Sequence, residues 1–194
     1  KDETLLKELG LERRFIIGYI GTHGMAHSLN FIINSISQIK NPDIHFLFIG
    51  DGAAKQRIVD QASQLNLSNV TFLPPVPKKD VALYVNLSDA VLVPLIKSDT
   101  FKAVIPSKIF ESAAMQKPIL LGVDGQAREI IEEYNAGLYF EPENTDAFLA
   151  AVYRIKSDTA LYSEIQEGEE KLAAAYDRNT LADKMLEHLQ ILKY

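Results

Sequence analysis

A stretch near the middle of the chain places a cation and a carboxylate one helical turn apart. Residues 105–115 follow the apolar run 90–95 after a short loop. Pro106 suits the first turn of a helix, because its missing N–H would have no intrahelical partner there. At 100° per residue most of the apolar side chains share one face, and Lys108, Glu111 and Met115 fall on the other. The pattern predicts a strand, a loop and a helix with a charged outer face.

The charged face of this helix suits a nucleotide. Ser107 and Lys108 lie in the first turn, where a cation, free backbone N–H groups and the positive end of the helix dipole favour a phosphate. The carboxylate of Glu111 only accepts hydrogen bonds, so the vicinal hydroxyls of a ribose are natural partners for it. The alternative is an ordinary i, i+3 pair on a helix surface. Spacing alone leaves both interpretations open.

Short apolar runs alternate with helical patterns around this stretch. The predicted strands are 15–20, 45–49, 70–73, 90–95, 118–123 and 138–140. The predicted helices between them are 27–39, 54–65, 79–87, 106–115 and 127–134. Runs of consecutive apolar residues are typical of strands covered on both faces. The sequence therefore predicts an α/β fold, with a doubly wound, Rossmann-like parallel sheet and right-handed crossovers.

The ends of the chain differ from this alternating region. Residues 1–14 are interpreted as a linker or short helix, residues 15–160 as the sheet domain, and residues 161–194 as C-terminal helices. Ligands on such sheets bind at the carboxyl ends of the strands, where the loops after them gather. The last helix carries an apolar stripe, which packs either on this domain or on one absent from the sequence. Its members are Leu181, Met185, Leu189 and Leu192.

Composition excludes several classes of protein. The chain has no cysteine, which excludes disulfides and thiolate metal sites and fits a reducing compartment. A net charge of −6 argues against nucleic acid as a partner. No apolar run reaches the ~20 residues needed to cross a bilayer, and the charged start is unlike a signal peptide. We expect a soluble, cytoplasmic domain, with any membrane association residing in a longer parent protein.

The motif at the central helix resembles a known family signature. PSKIFE at 106–111, then Ala114 and KPI at 117–119, is similar to the donor-nucleotide motif of GT-B glycosyltransferases, especially the retaining GT4 family. In that family this helix carries the second glutamate of a Glu-x7-Glu pair, which corresponds to Glu111. The first glutamate would fall at Ala103. The resemblance therefore leaves one contact to the donor sugar without its usual residue.

The resemblance implies a role for this chain within a larger enzyme. It covers roughly residues 15–160 and corresponds to the C-terminal, nucleotide-sugar-binding half of a GT-B fold, without the acceptor half. It implies donor contacts from the loops after the first four strands and from the central helix. The implied donor-binding residues are Gly21, Thr22, His23, Gly50, Asp51, Gly52, Pro74, Val76, Ala103, Val104, Ile105, Ser107, Lys108 and Glu111.

Each loop also has a plainer interpretation. Asp51 could simply cap the following helix, and the segment 73–76 could be an ordinary proline turn. The loop 98–104 is either a specificity element beside the donor sugar or a mobile lid. Gly18, Gly21 and Gly24 invite a dinucleotide-binding interpretation, but the G-x-G-x-x-G spacing is absent, which argues against an NAD enzyme.

Two histidines in the first loop could suggest a metal. His23 and His27 have no suitable third ligand near them in the sequence, so we interpret them as loop histidines. In GT4 relatives this loop has an Arg after the glycine and a Lys five residues later, both on the diphosphate. Thr22 and His27 take those positions here. Lys108 is therefore expected to carry most of the phosphate charge, with backbone N–H groups at 22–24.

The predicted function is donor binding in a retaining glycosyltransferase that uses a UDP-linked sugar, with the motif variant most similar to enzymes for N-acetylated sugars. The resemblance further implies bacterial surface polysaccharide synthesis, a lipid-linked or saccharide acceptor held by the absent half, and no metal or other cofactor. The 194-residue chain alone should then transfer little or no sugar. The alternatives are a sugar-nucleotide 2-epimerase of GT-B fold and a non-catalytic nucleotide-sugar-binding module.

Overall fold

The computed structural model describes residues 1–191, and the side chains of residues 1–189. Six parallel strands form one sheet in the order β3-β2-β1-β4-β5-β6. The strands are β1 (Phe15–Ile20), β2 (Ile44–Ile49), β3 (Val70–Leu73), β4 (Ala90–Pro94), β5 (Ile119–Gly122) and β6 (Gly137–Tyr139). This confirms the predicted α/β class and the parallel sheet.

Helices cover both faces of the sheet. In chain order they are α1 (Glu3–Glu8), α2 (Leu29–Ile36), α3 (Lys55–Gln64), α4 (Val81–Leu87), α5 (Lys108–Ala113), α6 (Gln126–Tyr134), α7 (Thr145–Ser157), α8 (Thr159–Ala175) and α9 (Arg178–Ile191). On one face α2, α3 and α7 pack around buried Phe46 and Phe148. On the other face α5, α6 and α8 pack around Ile109 and Leu121, while α1 and α4 cover Ile16. The sheet is thus doubly wound, as predicted.

Four helices, α2 to α5, are shorter than the sequence predicted, and local geometry explains the two largest differences. Before α2, residues Met25–His27 form a 3₁₀ turn, and Ser28 adopts a left-handed backbone with φ of 50°. The central helix α5 spans only Lys108–Ala113. Its start is tighter than an α-helix, because the Ile109 N–H donates to the Pro106 carbonyl at 3.1 Å. The three-residue spacing of that bond is typical of 3₁₀ geometry.

The last helix stands apart from the sheet. In α9, Leu181, Met185 and Leu189 are 43, 59 and 49% exposed. Within the described side chains the apolar stripe therefore has no covering on this domain, whereas Leu172 of α8 is fully buried. Leu192, the last member of the predicted stripe, lies outside the described residues. Along the described chain, no helix is both long enough and apolar enough to span a bilayer.

Candidate functional site

An open cleft of about 830 Å³ lies at the position in the sheet where the strand order changes direction, between β1 and β4. The central strands β1 and β4 are neighbours, but α2 after β1 packs on one face and α5 after β4 packs on the other. The loops that leave these two strands therefore diverge and open a crevice. In open α/β sheets such a crevice is the usual ligand site. The helices α4 and α5 form its walls.

Lys108 is the cation at the inner end of this cleft. Its Nζ atom lies 4.7 Å from the centroid of the Tyr19 ring. A Cβ atom on Gly21 would lie 2.8 Å from the same Nζ, so a larger residue there would displace the end of the Lys108 side chain. Burial lowers the pKa of Lys108, although the Glu111 carboxylate acts to raise it. Among the described residues, no carboxylate oxygen lies within 4 Å of this ammonium group.

The glycine loops after β1 and β2 are fastened to each other. The Gly21 N–H donates to the Ile49 carbonyl at 2.9 Å, and the His23 N–H donates to the Asp51 carbonyl at 2.8 Å. Gly50 has φ of 139°, and a Cβ atom there would lie 1.9 Å from the Gly21 carbonyl oxygen. These contacts fix the backbone beside Lys108. They also occupy the His23 N–H, which the sequence analysis had expected to serve a phosphate.

The two loop histidines lie in different environments. His23 is fully buried, with its ring tilted against Tyr19 at 5.6 Å and edge-on to Phe48 at 6.4 Å. Burial, followed by the charge of Lys55, lowers the pKa of His23 to about 4. His27 lines the cleft, and burial and the nearby Lys108 lower its pKa as well. The buried His23 side chain therefore packs beneath the loop, against the sheet, and His27 is the histidine that a ligand in the cleft would contact.

Most of the donor-binding residues predicted in the loop between β4 and α5 lie outside the cleft. Residues Asp99–Ala103 form a 3₁₀ turn, and Ala103, Val104 and Ile105 are all exposed. Of these three, only Val104 lines the main cleft. Residue 103 is alanine, so no side-chain carboxylate stands at the position where the family signature has a glutamate.

A smaller pocket of about 270 Å³ adjoins the main cleft and shares Gly21 and Thr22 with it. Gly50, Asp51 and Val76 line this pocket. The Asp51 carboxylate accepts from the Gly52 N–H at 2.8 Å, and α3 begins without a side-chain cap. Asp51 therefore does not cap the following helix.

Taken together, the cleft and its side pocket gather nine of the fourteen predicted residues. The main cleft is lined by Gly21, Thr22, Val104, Ser107, Lys108 and Glu111, and the side pocket adds Gly50, Asp51 and Val76. The predicted residues outside both linings are His23, Gly52, Pro74, Ala103 and Ile105.

Part of the cleft wall was not predicted from the sequence. Val81, Ala82 and Val85 of α4 provide an apolar surface opposite the charged groups of α5, and Met115 adds apolar surface just after α5. Lys78 and Arg178 add two cations at the rim. The helical spacing of the α4 residues was a usable signal for an inward face, but the sequence contains no signal that brings Arg178 to this cleft.

The described residues contain no group of three or more histidine, aspartate or glutamate side chains that could hold a metal ion. The chemistry that the cleft offers is instead a desolvated ammonium beside glycine backbone, a carboxylate on the next helical turn, and an apolar wall. These groups match phosphate, vicinal hydroxyls and a flat base, in that order.

Several solved structures of glycosyltransferases share the fold of this chain. The structure of Anabaena HepE in complex with UDP-glucose superimposes with a TM-score of 0.82 at 20% identity, over 96% of this chain and 51% of that one. The C-terminal domain of LpcC from Francisella tularensis gives a TM-score of 0.72 at 16% identity and covers 91% of this chain and 92% of that one. The sequence model of the family "Glycosyl transferases group 1" matches residues 1–172. The chain belongs to this family, and its fold is that of a GT-B C-terminal domain.

Two curated relatives are also named as glycosyltransferases. TuaH of Bacillus subtilis, named as a glycosyltransferase of teichuronic acid biosynthesis, is 26% identical over 181 residues. WcaI of Escherichia coli, named as a glycosyl transferase of colanic acid biosynthesis, is 24% identical over 154 residues. The alignments cover 92% and 77% of this chain but 44% and 38% of those proteins. The chain thus spans less than half the length of these relatives.

Proposed function

We propose that this chain is the donor-binding domain of a glycosyltransferase that uses a UDP-linked sugar. The observation that carries the proposal is Lys108, a half-buried cation with no ion-pair partner among the described residues, at the inner end of the crevice between β1 and β4. Glu111 lies one turn further along the same wall. The UDP and UDP-glucose complexes of the structural neighbour HepE support the choice of nucleotide.

Each group in the cleft binds a different part of the donor. The diphosphate lies against the Gly21 loop and Lys108, the ribose hydroxyls donate to the Glu111 carboxylate, and the base faces the apolar side chains of α4. As the glycosidic bond to the diphosphate breaks, negative charge grows on the leaving oxygen. A desolvated cation fixed beside that oxygen stabilises the charge more strongly than water would, which lowers the barrier.

The remaining parts of the proposal rest on the family resemblance. A retaining outcome, an N-acetylated sugar and catalysis without a metal follow from the motif at 106–111. The biosynthetic names of the relatives support a role in bacterial surface polysaccharide synthesis. An acceptor-binding half, which the family resemblance implies for a longer parent protein, would hold the lipid-linked or saccharide acceptor. Transfer needs both substrates in one cleft, because holding them together supplies roughly 7–11 kcal/mol of the barrier.

Calorimetric titration of the 194-residue chain tests the proposal directly. We expect UDP and UDP-sugars to bind and the corresponding GDP and ADP compounds to bind more weakly. EDTA should leave the affinity for UDP unchanged, because a metal bridge would need clustered carboxylates. Absence of UDP binding, or its loss on chelation, would contradict the proposed site.

Replacing Lys108 with alanine should weaken UDP binding about 10-fold in dilute buffer, which corresponds to about 1.4 kcal/mol. Uridine, which has no phosphate, should be much less affected. The difference between wild type and Lys108→Ala should narrow as salt is added, because mobile ions screen the attraction between the ammonium and the phosphates. Titrations at two ionic strengths measure both effects.

Lys171→Ala is the matched control for this experiment. Lys171 is an exposed residue of α8 that does not line the cleft, so the same change in net charge is made away from the site. An equal loss of affinity in both variants would mean that net charge, and not the position of Lys108, governs UDP binding.

A further inference from the structure

Arg178 is the cleft residue that the family match does not explain. It is the first residue of α9, and it lies beyond residues 1–172, which the family model covers. The fold nevertheless brings it into the lining of the same cleft as Glu111 and Lys108. It forms no ion pair within the part of the chain that the structure describes.

The end of α8 determines where Arg178 emerges. Tyr176 stacks on Phe110 of α5, with ring centroids 4.8 Å apart and planes inclined by 28°. It also meets the edge of Tyr134 at 6.1 Å. These aromatic contacts anchor the last turn of α8 beside α5. The chain then passes through Asp177 and presents Arg178 at the rim, along the wall that carries Glu111.

The opposite wall at this end of the cleft is apolar. Val81 and Val85 of α4 contribute hydrocarbon surface there, and Met115, just after α5, adds a thioether on the side of Glu111. An apolar surface on one side and a planar guanidinium on the other form a slot for a flat aromatic group. Guanidinium planes stack on aromatic rings, and arginine is much better suited to this than lysine.

We propose that Arg178 covers the nucleoside of the bound donor, with its guanidinium packed over the base while Glu111 holds the ribose. This inference rests on the proposed nucleotide site and adds a specificity residue to it. It also makes the start of α9 part of the donor site. Binding of a nucleoside should therefore order the first turn of α9, the helix whose apolar stripe begins at Leu181.

Titrations with uridine and UDP test the contact. Arg178→Ala should weaken both ligands by the same factor, roughly 2- to 30-fold, the range of a cation–π contact. Arg178→Lys should recover little of the loss, because it restores the charge without the planar face. Arg154→Ala, an exposed arginine of α7 away from the cleft, is the matched control and should bind like wild type.

Three outcomes would overturn the inference. Wild-type affinity in Arg178→Ala would remove the contact, a loss confined to UDP would place the guanidinium on phosphate, and full recovery in Arg178→Lys would make it a charge effect. Failure of the proposed function would give a different titration result, because wild type itself would then bind neither uridine nor UDP. Thermal unfolding of each variant establishes that the fold is retained.

Amide hydrogen exchange supplies a readout that does not depend on affinity. Saturating uridine should slow exchange in the first turn of α9 in wild type and leave it unchanged in Arg178→Ala. Unchanged exchange there in liganded wild type would contradict the proposal. Amides in α7, which has no residue in the lining of the cleft or of its side pocket, provide the internal reference.

Discussion

Glu111→Ala is expected to weaken UDP binding by roughly 10- to 150-fold. The carboxylate accepts hydrogen bonds from the ribose hydroxyls in the proposed complex, and a hydrogen bond to a charged group is worth roughly 1.5–3 kcal/mol. Glu111 is exposed at the cleft wall and makes no ion pair among the described residues, so its removal should not disturb the fold. Calorimetric titration with UDP measures the loss.

Two controls show whether that loss belongs to the ribose. Free uracil, which has no ribose, should bind Glu111→Ala as weakly as it binds wild type. Glu129→Ala removes the charge of an exposed glutamate on α6 outside the cleft and should leave UDP binding unchanged. Wild-type UDP affinity in Glu111→Ala would remove the central residue of the proposed site and leave Lys108 and Glu111 as surface charges.

Glu169→Gln is expected to stabilise the protein, and increasingly so as the pH rises. Glu169 in α8 is fully buried, and its two carboxyl oxygens have no hydrogen-bond partner among the described residues. Burial raises the pKa of Glu169 to about 10 from 4.5, with the charge of Lys117 opposing the shift. The folded state therefore keeps this carboxyl protonated at neutral pH, while the unfolded chain ionises it.

The sign of the pH dependence follows from this difference. The unfolded state binds fewer protons than the folded state between the two pKa values, so raising the pH across that window costs stability. Glutamine has nearly the shape of the protonated carboxyl and cannot ionise. The difference in unfolding free energy between Glu169→Gln and wild type should thus grow by roughly 3 kcal/mol between pH 6 and pH 8.

Denaturant unfolding at several pH values measures this gain. Glu170→Gln is the matched control, because Glu170 is the next residue in α8 and is exposed. Its unfolding free energy should follow that of wild type at every pH. Parallel curves for wild type and Glu169→Gln would show instead that Glu169 has access to water or a partner in the folded protein.

The strands and the fold class could be predicted from the sequence alone. Consecutive apolar residues identified all six strands, since a strand covered on both faces has no polar side to interrupt the run. The ends of the helices were harder to predict from the sequence. The left-handed backbone at Ser28 and the 3₁₀ start of α5 depend on how neighbouring loops pack, and serine and proline also occur in ordinary helix starts.

The candidate site was predicted in part for the same physical reason. Lys108 and Glu111 share a helix, so spacing alone places them together, and the structure brings both to the cleft. His23 and His27 share a loop with no fixed periodicity, so the sequence could not tell which ring is buried. Arg178 enters the cleft through the packing of Tyr176 on Phe110, a contact between residues distant in sequence.

The central position of β1 determines when during synthesis a nucleotide could first be held. β1 pairs with β2 on one side, but its other neighbour, β4, begins only at Ala90, and α5 follows later still. A nascent chain that has completed β3 thus has a paired Gly21 loop, an open β1 edge and no cation or carboxylate opposite it. Such an edge is a site of mispairing until β4 arrives. Because a ligand stabilises only the states that bind it, donor could not protect this intermediate and would stabilise only a chain extended past Glu111.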